Sequence, residues 1–296
     1  MAHKTLVGGT AYEISGGKTL VGGTAYSIAG GKTLVGGTAY DIGFGPSTVL
    51  NNNSPATIQA VAQAGQATNY WAVGDTIGIT LNGTVGILTF SNETYYAFII
   101  GFDHNSSIEG SNTIHFQFGK TSAGVDIDFV DSDVSDSGSS AGFRMNTSRT
   151  TTGGWKSSYM RNTICPAFLA VMPTAWQNII AACTKYSDNT GGGSNTASDV
   201  TATSDKIWLL SEYEVHGACS AANSAEQNSQ KQYDYYANGK SKVKYKHNST
   251  KNSCHWWLRS VRGDGERNFC TVSVYGEAGN TGAHFSLGFA PGFMVA

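Results

Sequence analysis

The chain has 296 residues, 40% of them hydrophobic, including six Trp, fourteen Tyr and thirteen Phe, enough apolar mass for the core of one large domain or two smaller ones. Only 14% are charged and the net charge is -2, so the chain lacks the basic field that nucleic-acid or anionic-membrane binding needs, and neither partner is expected. No run approaches the roughly eighteen apolar residues of a membrane span.

In chain order, the first feature is a repeat: KTLVGGTAYEISGG, KTLVGGTAYSIAGG and KTLVGGTAYDIGFG begin at Lys4, Lys18 and Lys32. Each unit reads as two extended pieces broken at Gly-Gly, with Leu6, Tyr12 and Ile14 expected on one face, as are Leu20, Tyr26 and Ile28 and then Leu34, Tyr40 and Ile42. Three such faces cannot enclose a core, so residues 1–45 are expected to stack on other copies of the chain or on a larger assembly. A flexible Gly-rich leader is the alternative.

From residue 46 onward the pattern is that of an α+β domain. Ser54-Pro55 ahead of Ile58, Val61 and Ala62 predicts a capped helix ending near Gly65. Strands are predicted over 70–73, 76–81 with a turn at Asn82-Gly83, 87–90, 95–102 and 114–118, an antiparallel meander. Carboxylates at Asp126, Asp128 and Asp131 lead into a Ser/Gly-rich stretch; their spacing does not fit a calcium loop, and a solvated strand end and loop is expected. Helices are predicted over 157–169 and, capped by Thr174, over 175–183, followed by a polar loop over 187–206, a buried strand at KIWLLS and a helix over 226–236. Lys240, Lys242, Lys244 and Lys246 alternate along a strand; such a row could attract anionic glycans, but it also suits an edge strand protected from aggregation.

Catalytic signals are sparse. No HExxH, no Gly-rich phosphate loop and no GxSxG elbow occurs, so neither metal nor cofactor is expected. Glu214, His216 and Cys219 lie close in sequence, which reads as a coincidence of one loop. The five cysteines show no CxxC and sit among apolar neighbours as buried thiols; Cys254 and Cys270 could pair only outside a reducing compartment. MAHKTLVGG lacks the apolar stretch of a secretory signal, so synthesis in a cytoplasm is expected.

The most informative segment is 261–287. Trp256, Trp257 and Leu258 bracket it on one side and Phe289, Ala290, Pro291 and Phe293 on the other, with Phe269 and Val272 recurring as core contacts. Between them the residues are short, polar or glycine. That division suits a binding surface, because rigid anchors hold the backbone while exposed polar side chains make adaptable contacts.

GGWKSSYMR, DKIWLLSEYEVHG, YYANGKSKVKY, HWWLRS and GFAPGFMV, in that order, resemble a family of C-type-lectin-like domains found in phage structural proteins and bacterial surface proteins, with TNYWAVGDT and FIIGFDHN extending the likeness over residues 54–296. WWLRS, a permissive stretch and then GFAPGF is similar to the variable region of proteins diversified by retroelements, of which phage tail receptor-binding proteins are members. The resemblance implies a C-type-lectin fold of mostly antiparallel short strands and a few helices, preceded by the β repeats. It implies a ligand-binding face of Arg262, Asp264, Arg267, Asn268, Ser273, Tyr275, Asn280, Thr281, His284, Ser286 and Leu287 on a scaffold of Trp256, Trp257, Phe269, Phe289 and Phe293. Adenine-directed mutation of asparagine codons cannot yield Glu, so Glu266 and Glu277 are expected to be fixed.

By the same resemblance the protein is expected in a phage virion, made in the bacterial cytoplasm, as a homo-oligomer, with a trimer favoured. It would bind a host surface protein or glycan at one end and other tail proteins at the other. The acidic and amide motifs of calcium-dependent sugar lectins are not found. Two alternatives remain: an enzyme of the formylglycine-generating kind using Cys254 and Cys270, and a purely structural virion protein.

Overall fold

The computed structural model describes residues 45–131 and 142–296 in full, and the strands within 3–43 as backbone. It divides the chain into two units, Met1–Ser47 and Thr48–Ala296.

In the first unit each repeat is one antiparallel hairpin: β1 (His3–Val7) with β2 (Thr10–Ile14), β3 (Gly17–Val21) with β4 (Thr24–Ile28), and β5 (Gly30–Val35) with β6 (Thr38–Gly43). The register corrects the expected faces. Leu6 pairs with Ala11 and Thr5 with Tyr12; likewise Leu20 pairs with Ala25 and Leu34 with Ala39. Paired positions share a face and successive ones alternate, so each Leu falls at the opposite parity from the Tyr and Ile of its own repeat.

The second unit is α+β: the chain is 36% strand and 24% helical, with antiparallel sheets apart from one short parallel pair. It opens with α1 (Pro55–Gln63), where Ser54 Oγ accepts from the Thr57 N–H at 3.1 Å and Ile58, Val61 and Ala62 are buried, as the sequence predicts. Residues 70–73 are not a strand. They follow a 3-10 turn (Ala67–Asn69), and Asp75 Oδ2 accepts from the Ala72 N–H, so the local bonding is that of a turn, with Trp71 buried.

β7 (Thr76–Val85) runs through Asn82-Gly83 without turning, because a register shift between Leu81 and Asn82 absorbs the irregularity. The chain reverses at Gly86 (φ 56°) instead and returns as β8 (Leu88–Phe102), one strand where two were predicted. After α2 (Ser106–Glu109) come β9 (Ile114–Lys120) and β10 (Ile127–Asp128). The Ser/Gly-rich stretch 132–141 lies outside the described residues.

The helix predicted over 157–169 is three pieces: α3 (Gly154–Ser157), a π turn (Met160–Ile164) and α4 (Cys165–Val171), interrupted by extended backbone at Ser158. α5 (Thr174–Ile179) starts after Pro173 and stops short of Cys183, because β11 (Ile180–Ala181) is taken into the main sheet. The supposed polar loop over 187–206 contains most of a hairpin, β12 (Cys183–Asp188) with β13 (Val200–Asp205). Then follow β14 (Ile207–Trp208), α6 (Glu212–His216) and, where a helix over 226–236 was predicted, a 3-10 turn (Ser224–Asn228) and α7 (Asp234–Ala237). The last strands are β15 (Lys244–Lys246), β16 (Ser249–Cys254), β17 (Trp256–Val261), β18 (Asn268–Val272), β19 (Ala278–Gly282) and β20 (Gly292–Val295).

The main sheet runs β11-β20-β9-β8-β7, with β14 also on β20, so the final strand is inserted beside elements from three earlier parts of the chain. GFAPGFMV therefore closes the core: Phe289 and Phe293 are fully buried, and Phe293 stacks on Phe116 at 5.0 Å. Of the lysine row only Lys244 and Lys246 lie in a strand, and that strand is not an edge: β15 is the middle strand of β10-β15-β16, and Lys244 is buried with its ammonium 5.2 Å from the Phe98 ring and 5.4 Å from the Trp256 ring. Its pKa is lowered by burial. Asp126 and Asp128 are not a solvated end either: Asp126 pairs with Lys120 at 2.8 Å, and Asp128 is buried.

Candidate functional site

The site is carried by β17, β18 and β19, in that order in their sheet. All six residues of β17 are buried, and the strand passes between two apolar clusters. Trp257 and Val261 enter the larger one with Phe269 and Phe289; Trp256 and Leu258 enter the smaller with Cys270 and Val272. Trp257 Nε1 donates to the Phe143 carbonyl at 2.7 Å, which satisfies its polar edge.

Arg259 and Ser260 hold the same strand from behind through buried polar contacts. β17 departs from β18 between Trp257 and Val261, and the Arg259 N–H donates instead to the Leu210 carbonyl. The Arg259 guanidinium donates to both oxygens of Glu214, to the Leu209 carbonyl at 2.9 Å and to Ser187 Oγ at 3.0 Å. WWLRS and SEYEVHG, far apart in sequence, thus meet through one ion pair. Ser211 caps α6 in a reciprocal box with Glu214, which orients that carboxylate toward Arg259.

Lys185 Nζ extends the cluster, donating to Glu109 (2.7 Å), Glu214 (3.1 Å) and Tyr233 Oη (2.8 Å). Burial alone would raise the Glu214 pKa, but Arg259 and Lys185 hold its carboxyl well below the usual range. Burial pushes His104 down to about 3 and His115 well below its ordinary value, so both are neutral at pH 7. Glu109, His115 and Cys183 converge closely enough for a cation, as do His104, Glu109 and Glu214. The Lys185 ammonium already pairs with Glu109 and Glu214, the carboxylates of these two sets, so the cluster reads as an internal ion network. Glu214, His216 and Cys219 form no joint site, since Glu214 is spent on this network.

Ser260 Oγ donates to Glu226 Oε2 at 2.5 Å, and Glu226 Oε1 accepts from the Asp188 N–H at 2.9 Å. Burial pushes the Glu226 carboxyl up to about 7. A carboxyl raised in the fold contributes stability that is complete below its unfolded value near 4.5 and is lost as pH rises through about 7. Denaturant titrations should therefore show the stability of the wild type, relative to Glu226→Gln, falling by on the order of 3 kcal/mol between pH 4.5 and 7.5. Parallel pH profiles for the two proteins would remove Glu226 as the titrating group.

On this support the candidate side chains occupy turns and an edge. Arg262, Asp264 and Arg267 lie in the β17–β18 turn with Asn268 at its end; Ser273 and Tyr275 lie in the β18–β19 turn; Asn280 and Thr281 are on edge strand β19, and His284 follows it. All nine reach solvent in part or fully, and Tyr275 is 80% exposed. Ser286 and Leu287 are corrected: both are buried, because Leu287 bonds to Phe143 through its backbone and joins the larger cluster. Glu266 and Glu277 are exposed among the candidates.

The β17–β18 turn stands between two clefts. The larger, about 540 Å³, is lined by Arg149, Gly193 and residues 264–268; the smaller, about 300 Å³, by Asn195, Ser220, Ser224 and Asn280. Arg262 borders both and is held by Asp264 through Nε–Oδ1 (2.5 Å) and Nη2–Oδ2 (3.2 Å) contacts. Ala221 and Ala222, which line the smaller cleft, are held by Glu212, which accepts from their N–H groups. Arg149, Asn195 and Ser224 were not expected from the sequence, since they reach the site only through folding. The run Gly191-Gly192-Gly193 was the available signal: a Cβ on Gly192 (φ 86°) would overlap the carbonyl oxygens of Arg262 and Gly265.

A family model described as a domain of unknown function (DUF6273) matches residues 134–296, more than half of the chain. The chain belongs to that family. No curated protein and no solved structure matches the chain. The DUF6273 region includes the whole of β17–β19, both clefts, and from the ion network Lys185, Glu214, Tyr233 and Arg259, whereas His104, Glu109 and His115 precede it. The five cysteines are free thiols. Cys254 Sγ contacts Asp128 and Cys270 Sγ contacts Glu212, so the two lie in separate polar surroundings. Among the described residues no helix is long and apolar enough to cross a membrane.

Proposed function

We propose that the protein is a phage tail receptor-binding adhesin that grips a host surface protein or glycan through the 262–284 face of a C-type-lectin-like domain of the retroelement-diversified kind. The observation that carries this reading is the division of exposure: nine candidate side chains reach solvent while Trp256, Trp257, Phe269, Phe289 and Phe293 behind them are fully buried. Side chains on turns and an edge strand can change without opening the core. The hairpins of residues 3–43 would serve assembly, in a homo-oligomer with a trimer favoured and against other tail proteins, with avidity from several copies.

The face has two ends. Tyr275 and Arg262 sit at opposite ends of the five-residue strand β18, about 17 Å apart at some 3.4 Å per residue. A ligand that uses both is extended, such as a polymer or a protein surface. Replacing Tyr275, Arg262 and His284 together by Ala should reduce adsorption to host cells at least about tenfold, at about a kcal/mol per contact, with an unchanged melting temperature. Undiminished adsorption would remove this face from the reading. A reverse transcriptase gene beside a near copy of residues 255–293 in the flanking DNA would support diversification.

A further inference from the structure

We infer that the larger cleft is an oxyanion site, taking the carboxylate, sulfate or phosphate substituent of an anionic surface polysaccharide. The inference rests on the 262–284 face being a ligand-binding face, and it adds Arg149, a residue from a different part of the chain.

Three guanidiniums, Arg149, Arg262 and Arg267, border this cleft with two carboxylates, Asp264 and Glu266. Arg262 and Asp264 satisfy each other within their turn. Arg149 and Arg267 are both exposed, and among the described residues neither guanidinium has an ion-pair or hydrogen-bond partner. Two unpartnered guanidiniums thus border the cleft with one unpaired carboxylate. An oxyanion between them would gain charge-assisted, fork-shaped hydrogen bonds that a neutral sugar hydroxyl cannot match.

The two arginines are brought together by backbone that is held on both sides. The Thr151 N–H donates to the Glu266 carbonyl at 3.1 Å, and buried Thr151 Oγ1 donates to the Gly191 carbonyl, which ties the segment carrying Arg149 to the turn carrying Arg267. On the other side the Ala283 N–H donates to the Arg267 carbonyl at 2.9 Å. Gly192 packs against the Arg262 and Gly265 carbonyls and the Gly193 N–H donates to the Gly263 carbonyl, so this wall of the cleft is held by backbone, and Gly193 lines it without a side chain. Little ordering is left to the backbone when a ligand arrives. With a net charge of -2 the chain has no long-range attraction for polyanions, so selectivity has to come from this local geometry.

The test uses the full chain on immobilised dextran sulfate, carboxymethyl dextran, polyphosphate and unmodified dextran, read by biolayer interferometry across a salt series. The wild type is expected to bind at least one charged polymer, more weakly as salt rises, and to ignore unmodified dextran; the preferred polymer identifies sulfate, carboxylate or phosphate. Arg149→Gln/Arg267→Gln should weaken that binding about tenfold or more at an unchanged melting temperature. Lys206→Gln/Lys251→Gln, an equal loss of charge at exposed lysines that do not border this cleft, should leave it unaltered. Equal binding by the arginine variant, an equal loss in the lysine variant, or no binding of any charged polymer by the wild type overturns the inference. If one of these results comes with adsorption that depends on Tyr275, Arg262 and His284, the oxyanion site fails while the adhesin reading stands.

Discussion

Arg259→Ala is expected to destabilise the protein by about 3–5 kcal/mol, measured as a shift of the denaturant midpoint at pH 7. The substitution removes one of two cations that face Glu214, and both partners have fully buried side chains. Lys185 would be left to serve Glu214 and Glu109 together, so the carboxylates would keep their burial cost with half of their compensation. The Leu209 carbonyl and Ser187 Oγ would also lose their guanidinium donor. Arg259→Lys should recover only part of the loss, because an ammonium cannot reproduce the fork onto both Glu214 oxygens. An Arg259→Ala protein with wild-type stability would show that the network is not what holds β17.

Trp257→Ala should cost a similar amount, about 3–5 kcal/mol, whereas Tyr275→Ala, fourteen residues short of the second bracket at Phe289, should change stability by less than about 0.5 kcal/mol. Trp257 is fully buried in the larger cluster, and its removal leaves a void and takes from the Phe143 carbonyl one of its two donors, the Leu287 N–H remaining. Tyr275 is 80% exposed in the middle of the β18–β19 turn, where its ring buries little surface. The contrast tests the separation of scaffold from face in one experiment. Comparable losses at both positions would mean that the turn is part of the core, and the reading of 262–284 as a tolerant surface would fail with it.

Much of this site was legible in the sequence because it depends on local composition. The aromatic brackets at Trp256, Trp257, Phe289 and Phe293 are core in the structure, and most of the polar residues between them reach solvent. Ser286 and Leu287 were misread because they look like their neighbours, yet a backbone pairing with Phe143, over a hundred residues earlier, pulls them inside. Lys244 shows the same limit. Its alternation with Val243 and Tyr245 marks a strand, but whether that strand is an edge depends on β10, which pairs with it from far upstream.

The sequence by itself determined the repeat period, the capped helix at Ser54, the meander of apolar strands and the aromatic frame around a polar segment, since each follows from residue type and short-range spacing. Only the tertiary structure decided which strands are central, that Arg259 of WWLRS faces Glu214 of SEYEVHG, and that Arg149 shares a cleft with Arg267. The physical reason is that pairing, burial and charge neutralisation are settled between segments distant along the chain, and a one-residue change of register sends a side chain from core to solvent.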